Sequence, residues 1–207
     1  MFITLEGPEG SGKTGQLETL AEALSHRGYR VQKTREPGGT PIGDQIRKTI
    51  LDLKNTAMVD RTEALLLQAS RAQLVEEVIQ PALEAGRLVI CDRYADSTLA
   101  YQGYGYQNDL DSLRKIIDYA TGGLKPDLTV LLDIDPEIGL RRRTNAGNLN
   151  RLDALDLAFH RRVRAGYHAL VREEPERWVV IDADQSFEQV QEDLLAAVLQ
   201  KLAQHAV

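Results

Sequence analysis

The sequence is short of cysteine, of aromatic side chains and of long apolar runs. Its one cysteine, Cys91, has no second thiol to pair with, which excludes an internal disulfide framework and predicts a packed thiol in an apolar run. No stretch approaches the ~18 consecutive apolar residues of a membrane span. The opening MFITLEGPEG has neither the basic start nor the long apolar core of a signal peptide. A cytoplasmic protein without membrane contact is expected. Positive charge is in deficit as well: 25 Lys and Arg against 31 Asp and Glu leave a formal net charge of −6. That balance argues against a non-specific nucleic-acid binder, so an anionic ligand must be held by local groups of arginine. Hydrophobic residues at 43% and charged residues at 27% are ordinary for a globular chain. With no linker, repeat or low-complexity segment, residues 1–207 read as one domain.

What is present begins with Gly7 to Thr14, GPEGSGKT. It fits the phosphate-loop pattern of a glycine, four residues, then Gly-Lys-Ser/Thr, and it follows the apolar run Phe2 to Leu5 and precedes a helical pattern. In such a loop the backbone N–H groups of Gly7, Pro8, Glu9, Gly10, Ser11 and Gly12, proline excepted, can turn inward on a polyphosphate, and the helix after it adds the positive end of its dipole. Lys13 then reaches the β- and γ-phosphates of ATP, and Thr14 holds Mg²⁺.

Periodicity places the rest. Leu17, Leu20, Ala21 and Leu24 recur at helical spacing up to Gly28, and a second strand spans Arg30 to Arg35. REPGGT is a turn, and the helix after it has Ile42, Ile46, Ile50 and Leu53 on one face. Asp60 and Glu63 form a capping box for a helix from about Arg61 to Ala85, with an apolar stripe of Leu66, Ala69, Leu74 and Val78. Arg71 interrupts that stripe, as a solvated side chain or as one that reads a ligand. Leu88 to Cys91 and Leu128 to Ile134 are strands buried on both faces. Helices follow at Leu110 to Thr121, after the Asp135-Pro136 cap, from Arg151 on, and after a Ser186/Gln189 capping box, the last with Phe187, Val190, Leu194, Val198 and Leu202 inward. Trp178 to Ile181 makes the fifth strand. Strands alternating with helices give an α/β fold, a doubly wound five-stranded parallel sheet, with ligands at the strands' carboxyl ends. Gly7, Arg35, Asp92, Asp135 and Asp182 all fall at or just past such ends and are expected to share one site.

Asp92, ending the Leu88 to Cys91 strand, is the expected magnesium partner of Thr14. Asp96 to Gln107, with three tyrosines and two glycines, reads as a loop around a planar ligand, or as tyrosines that only pack. Arg141, Arg142 and Arg143 close a helix, where they suit its dipole in any protein, and Thr144 to Asn150 has the composition of a mobile lid, placed at about 141–153. Arg161, Arg162 and Arg164 read as mostly solvated charge.

Taken together, EGPEGSGKT from Glu6, TREPGGT from Thr34, ASRAQLVEEVI from Ala69, DRYADSTLAYQG from Asp92, KPDLTVLLDIDPEIGL from Lys125 and DADQ from Asp182 closely resemble thymidylate kinases of the bacterial type over essentially the whole length. The resemblance implies a nucleoside monophosphate kinase fold, the reaction ATP + dTMP to ADP + dTDP with Mg²⁺, and a homodimer. It implies that Glu9 takes the sugar 3′-hydroxyl, that Arg93 holds the acceptor phosphate with Arg35 and Arg47 as partners, and that Arg71 hydrogen-bonds thymine. Ser97, Thr98, Tyr101 and Gln102 would line the nucleotide, with Tyr101 under the deoxyribose. Leu67 stands where many relatives have an aromatic residue over the base. Gly10 stands where some have a loop arginine, so the resemblance assigns the transition-state cation to lid residue Arg151, in Asn150-Arg151-Leu152-Asp153, with Arg143 assisting. The rival readings are a phosphate-loop kinase for another nucleotide or nucleoside, and a nucleotide-binding regulatory ATPase. The Asn-Lys-x-Asp reader of GTP switches and the Leu-Ser-Gly-Gly-Gln signature of transporter ATPases are both lacking.

Overall fold

A computed structural model of the chain describes residues 1–147 and 149–205. Asn148, part of the expected lid, lies outside the described residues. β1 (Phe2–Glu6) is buried along its whole length, as a central parallel strand must be. α1 (Lys13–Ser25) starts within the phosphate loop and presses Leu17, Leu20, Ala21 and Leu24 onto the sheet. β2 (Val31–Arg35) is half exposed, and its polar sequence suits an edge strand, where one ladder face meets water.

α2 (Pro41–Leu51) is capped by Thr40, whose hydroxyl accepts from the Gly43 N–H at 3.0 Å. Its inner stripe is Gly43, Arg47 and Ile50, so Ile42, one residue off that stripe, and Leu53, past the helix end, are exposed and do not face inward as expected.

α3 (Asp60–Leu74) runs on through a π-type stretch, Val75–Ile79, into α4 (Gln80–Glu84). The long helix therefore exists where periodicity put it, but two details differ. Val59, not Asp60, sits at the cap and no side chain bonds there, because Glu63 is spent elsewhere: it turns inward to Gln102 and Arg151. The expected stripe is also rotated. Ala69 is exposed, while Glu63, Gln68, Ser70 and Arg71 are buried beside Ala64 and Leu74. A helix that buries polar side chains serves a site, since each such group needs a partner inside.

β3 (Leu88–Asp92) leads into α5 (Ala95–Thr98) and a second π-type stretch, Leu99–Gly105. The segment expected as a loop is thus helical. A Cβ on Gly103 would lie 2.4 Å from Leu110 Cδ2 and one on Gly105 2.7 Å from Phe159 Cε2, so these glycines permit close helix contact.

α6 (Leu110–Thr121) has the expected bounds, with Gly122 as its C-cap, and β4 (Leu128–Asp133) is followed by α7 (Pro136–Asn145), where the Asp135 carboxylate accepts from the Glu137 N–H at 2.9 Å. α8 (Leu157–Glu173) begins at Asp156, which caps it, six residues later than expected from Arg151. Of Arg161, Arg162 and Arg164 only Arg161 is exposed; Arg162 donates to the Gly105 carbonyl and Arg164 grips Asp133 in a two-point contact. β5 (Trp178–Asp182) precedes α9 (Phe187–His205), on which Phe187 is 45% exposed and does not face inward; its ring instead lies over Gly15 of α1.

Among the described residues, the five strands form one parallel sheet in the order β2-β3-β1-β4-β5. α1 and α9 cover one face and α6 and α8, with the second π-type stretch, the other. The order reverses at β1, between β3 and β4, and the carboxyl ends open there as a crevice.

Candidate active site

At that crevice lies a cavity of about 550 Å³, in the size range of small-molecule sites. One end is the phosphate loop. Gly7 and Gly10 have φ of 148° and 74°, conformations that side chains resist, and an added Cβ would lie 2.4 Å from the Leu132 carbonyl oxygen and 2.1 Å from that of Gly139. The loop is therefore stacked directly on α7. Gly139 answers from the other side: its own Cβ would lie 2.1 Å from the Glu9 carbonyl oxygen. Gly139→Ala, with no φ constraint of its own, is expected to destabilise the fold by about 1–3 kcal/mol and to raise KM for ATP. A urea midpoint equal to the parent's would show that loop and helix separate freely.

Lys13 is buried and donates to the Gly7 carbonyl at 2.9 Å, the Pro8 carbonyl at 2.8 Å and Ser11 Oγ at 3.0 Å. Burial, then the neighbouring Arg93, pulls its pKa down to about 8. The Thr14 hydroxyl donates to Asp92 Oδ2 at 2.7 Å, so the two expected metal ligands, from α1 and β3, are in contact.

Arg93 follows Asp92 with φ of 68°, a left-handed conformation that an arginine holds only when its surroundings impose it. They do. Its N–H donates to the Leu5 carbonyl at 3.0 Å, and the next N–H, of Tyr94, donates to Glu6 Oε1 at 2.7 Å. Its guanidinium reaches Glu9 at 2.9 Å, Tyr101 Oη at 3.0 Å, the Gly7 carbonyl at 3.0 Å, and Ser97 and Tyr167 at 3.2 Å each. Burial pushes the Glu9 carboxyl up, but Arg93 and then Lys13 outweigh it and hold it down at about 2. Glu9 is thus an ionised acceptor on the cavity wall.

The other end of the cavity is arginine-rich. Arg35 meets Asp44 at 3.2 Å, and Arg47 donates to the Pro37 carbonyl at 2.8 Å. Burial, then Arg35, lowers the pKa of Arg47, with Asp92 and Asp44 opposing. Deeper, Arg71 is 1% exposed, which removes the solvated reading. Its guanidinium bonds Glu36, Gln68, Thr98 and the Tyr94 carbonyl, a set that occupies all the N–H groups an arginine has. An acceptor on a ligand must therefore share a proton with one of these partners, and Thr98, which also lines the cavity, is the neighbour placed to yield.

Of the expected residues, Glu9, Gly10, Gly12, Lys13, Thr14, Arg35, Arg47, Leu67, Arg71, Asp92, Arg93, Ser97, Thr98, Tyr101, Gln102 and Arg143 line this cavity. Gly7, Pro8 and Ser11 lie behind them, holding Lys13. Asp135 and Asp182 do not reach it. Arg151 does not either: its guanidinium is bound to Glu63 and to the Ile50 carbonyl, at 3.0 Å for the latter. Arg143, at the end of α7, is the lid-region cation that faces the loop, held to Asp153 by contacts of 3.2 and 2.8 Å, with Arg142 beside it on the cavity wall.

Four acidic residues that organise the site were not foreseen: Glu6, Glu36, Glu63 and Asp153. Glu6 is buried, pushed up to about 7 by burial and by Asp96, and bonded to Ser97, Tyr167 and Tyr94. The signal was available in its case, since a carboxylate ending an apolar strand just before a phosphate loop has no solvent to face.

A family model described as thymidylate kinase matches residues 5–194. A thymidylate kinase of Exiguobacterium is 51% identical over 207 residues, covering 100% of this chain and 98% of the relative. One from Roseiflexus castenholzii is 54% identical, covering 98% and 94%. The crystal structure of a thymidylate kinase from Ehrlichia chaffeensis superposes with a TM-score of 0.80 at 32% identity, over 96% of this chain and 98% of the other. A phosphate loop faces an arginine-rich pocket across the switch point of a β2-β3-β1-β4-β5 sheet, and with these similarities along its whole length the chain belongs to the thymidylate kinase family.

Proposed function

We propose that this chain transfers the γ-phosphoryl group of ATP to dTMP in a Mg²⁺-dependent reaction giving dTDP and ADP. Family membership supports the activity. The observation that carries the assignment of substrates to ends is the cavity's charge: a phosphate loop with Lys13 at one end, Arg35 and Arg47 at the other, and Arg93, bonded to Gly7 and Glu9 of the loop, close enough to act on both Lys13 and Arg47.

In this reading Lys13 and the loop N–H groups hold the ATP phosphates. Thr14 and Asp92 offer hard oxygen donors, and no group of three His, Cys, Asp or Glu stands ready to bind a metal among the described residues. That donor set fits a cation that brings phosphate and water ligands with it, as Mg²⁺ does. When bound, Mg²⁺ supplies charge neutralisation at the phosphate oxygens.

Arg93, with Arg35 and Arg47, fixes the acceptor phosphate. Glu9 takes the sugar 3′-hydroxyl, and the Tyr101 ring lies beneath the deoxyribose, where a 2′-hydroxyl would be crowded. Leu67 covers the base, Ser97 and Thr98 line its edge, and Arg71 shares a proton with it. Gln102 Oε1, buried and without a partner among the described residues, accepts the ring N–H. Because phosphoryl transfer has a loose transition state, positioning outweighs base strength, and Arg143 is the cation that meets the spreading charge. Arg151 fastens the lid.

The reading includes one kinase domain over 1–207 with a lid at about 141–153. It also includes a homodimer, supported by the exposed apolar side chains Ile42, Leu53, Val59 and Leu65, and a cytoplasmic location, where the free thiol of Cys91 persists. A coupled ADP-release assay tests the reaction with dTMP, dUMP, the ribose analogue of dTMP, thymidine and no acceptor. Turnover with dTMP well above the others is expected. Equal turnover with dUMP would retract thymine selectivity, and hydrolysis indifferent to acceptor would favour a regulatory ATPase.

A further inference from the structure

Glu63 is 1% exposed and does not line the cavity, yet it touches two elements that do the work. Its Oε1 accepts from Gln102 Nε2 at 2.6 Å. Its Oε2 accepts from the Arg151 guanidinium and, at 3.4 Å, from the Tyr106 hydroxyl. An ionised carboxylate only accepts, whereas a glutamine amide can present either its oxygen or its NH₂. Glu63 therefore claims the NH₂ of Gln102 and leaves Oε1 as the atom still able to accept. Gln102 lines the cavity, is 1% exposed, and its Oε1 is buried without a partner among the described residues. A buried acceptor left unpaired is costly, and a ligand that donates there relieves the cost.

Resting on the dTMP kinase reading, we propose that Glu63 is a positioning residue that fixes the orientation of the Gln102 amide and so selects a pyrimidine-2,4-dione over cytosine. Thymine and uracil carry a ring N–H at position 3, which matches the unpaired oxygen. Cytosine carries a lone pair there and meets it acceptor to acceptor. Nothing in this selection needs Glu63 to touch the base. Arg151 contributes by occupying the second oxygen, so that Glu63 has one oxygen to give.

Glu63→Gln inverts the arrangement. Arg151 has no acceptor to offer, so it claims the carbonyl oxygen of the new amide. The NH₂ of that amide then faces Gln102, which turns its own oxygen toward it and its NH₂ to the cavity. The ratio of kcat/KM for dTMP to that for dCMP is expected to fall about 30-fold or more, mainly through KM for dTMP. The swapped variant E63Q/Q102E restores an acceptor facing the cavity, because the amide now donates to the carboxylate at 102, and its ratio is expected to return to within about threefold of the parent's. Equal loss for both substrates in E63Q, or a swapped variant as unselective as E63Q, overturns the proposal and leaves Glu63 a structural residue. Parent enzyme that fails to turn over dTMP would instead overturn the function on which it rests. Should E63Q not fold, the parent itself decides: nuclear Overhauser contacts of the Gln102 side-chain NH₂ to the Glu63 methylenes sustain the proposal, and contacts to bound dTMP overturn it.

Discussion

Alanine at Arg143 is expected to lower kcat by about 10³-fold, the scale of loss when a transition-state arginine is removed from a phosphate-loop enzyme. KM for dTMP should stay within a few-fold, because the contact is made only as charge spreads over the γ-phosphoryl oxygens. In the proposed reaction Arg143 is preferred to Arg151 on geometry. Arg143 lines the cavity, and its charge helps hold the Glu9 carboxyl down. Asp153 orients it from a side chain that is itself buried and also accepts from the Asn150 N–H at 2.8 Å. Arg151 spends its guanidinium on Glu63 and the Ile50 carbonyl, on the acceptor side of the lid. Arg151→Ala should therefore cost less in kcat and weaken discrimination and dTMP binding more. Arg143→Lys should recover little, since a point charge cannot replace the planar two-point contact with Asp153. Full kcat with Arg143→Ala and collapse with Arg151→Ala would return the transition-state role to Arg151 and require the lid to swing its strap into the donor site.

The family motifs around the phosphate loop could be read because their chemistry is local: glycine spacing, a lysine and a hydroxyl sit within eight consecutive positions, Gly7 to Thr14. The strands could be read for the same reason, since a parallel strand buried on both faces is a continuous apolar run. α3 could be located but not oriented. Its buried side carries Glu63, Gln68, Ser70 and Arg71, whereas periodicity assumes that polar residues face water. The single cue was Arg71, which broke the apolar stripe. Tyrosine and glycine between Asp96 and Gln107 suggested a loop because glycine is conformationally free, but Gly103 and Gly105 are there for lack of volume against Leu110 and Phe159. The lid is a different case. Arg143 and Arg151 are both arginines in a polar stretch, and what separates them is which carboxylate each meets, Asp153 or Glu63. Glu63 is 88 residues from Arg151, a distance in sequence that no local pattern spans.

Arg71→Met should destabilise the protein by about 3–5 kcal/mol at pH 8, the range for a buried ion pair that loses one member, and by distinctly less at pH 5. Arg71 and Glu36 are 1% and 3% exposed at their side chains, and are joined at 2.9 and 2.5 Å. Burial pushes the Glu36 carboxyl above its ordinary value of 4.5 even with Arg71 opposing. Deleting Arg71 removes the chief influence holding it down, so the folded-state pKa climbs further. A carboxyl whose folded pKa exceeds its unfolded one contributes stability that is fully present below the unfolded pKa and lost as pH rises through the folded pKa. The variant therefore keeps a neutral, proton-bearing Glu36 near pH 5 and confronts a buried lone carboxylate at pH 8. Urea unfolding at pH 5, 6.5 and 8 reads this as a stability gap to the parent that widens with pH. Adding Glu36→Gln to Arg71→Met should narrow the gap at pH 8 and flatten its pH dependence, since the orphaned charge is gone. A gap that is the same at all three pH values would mean that Glu36 is not the charge Arg71 neutralises, and the loss would then lie in the contacts of Arg71 with Gln68, Thr98 and the Tyr94 carbonyl. On the proposed role of Arg71 at the base, binding of dTMP should fall in the double variant too, because restoring stability does not restore a proton donor there.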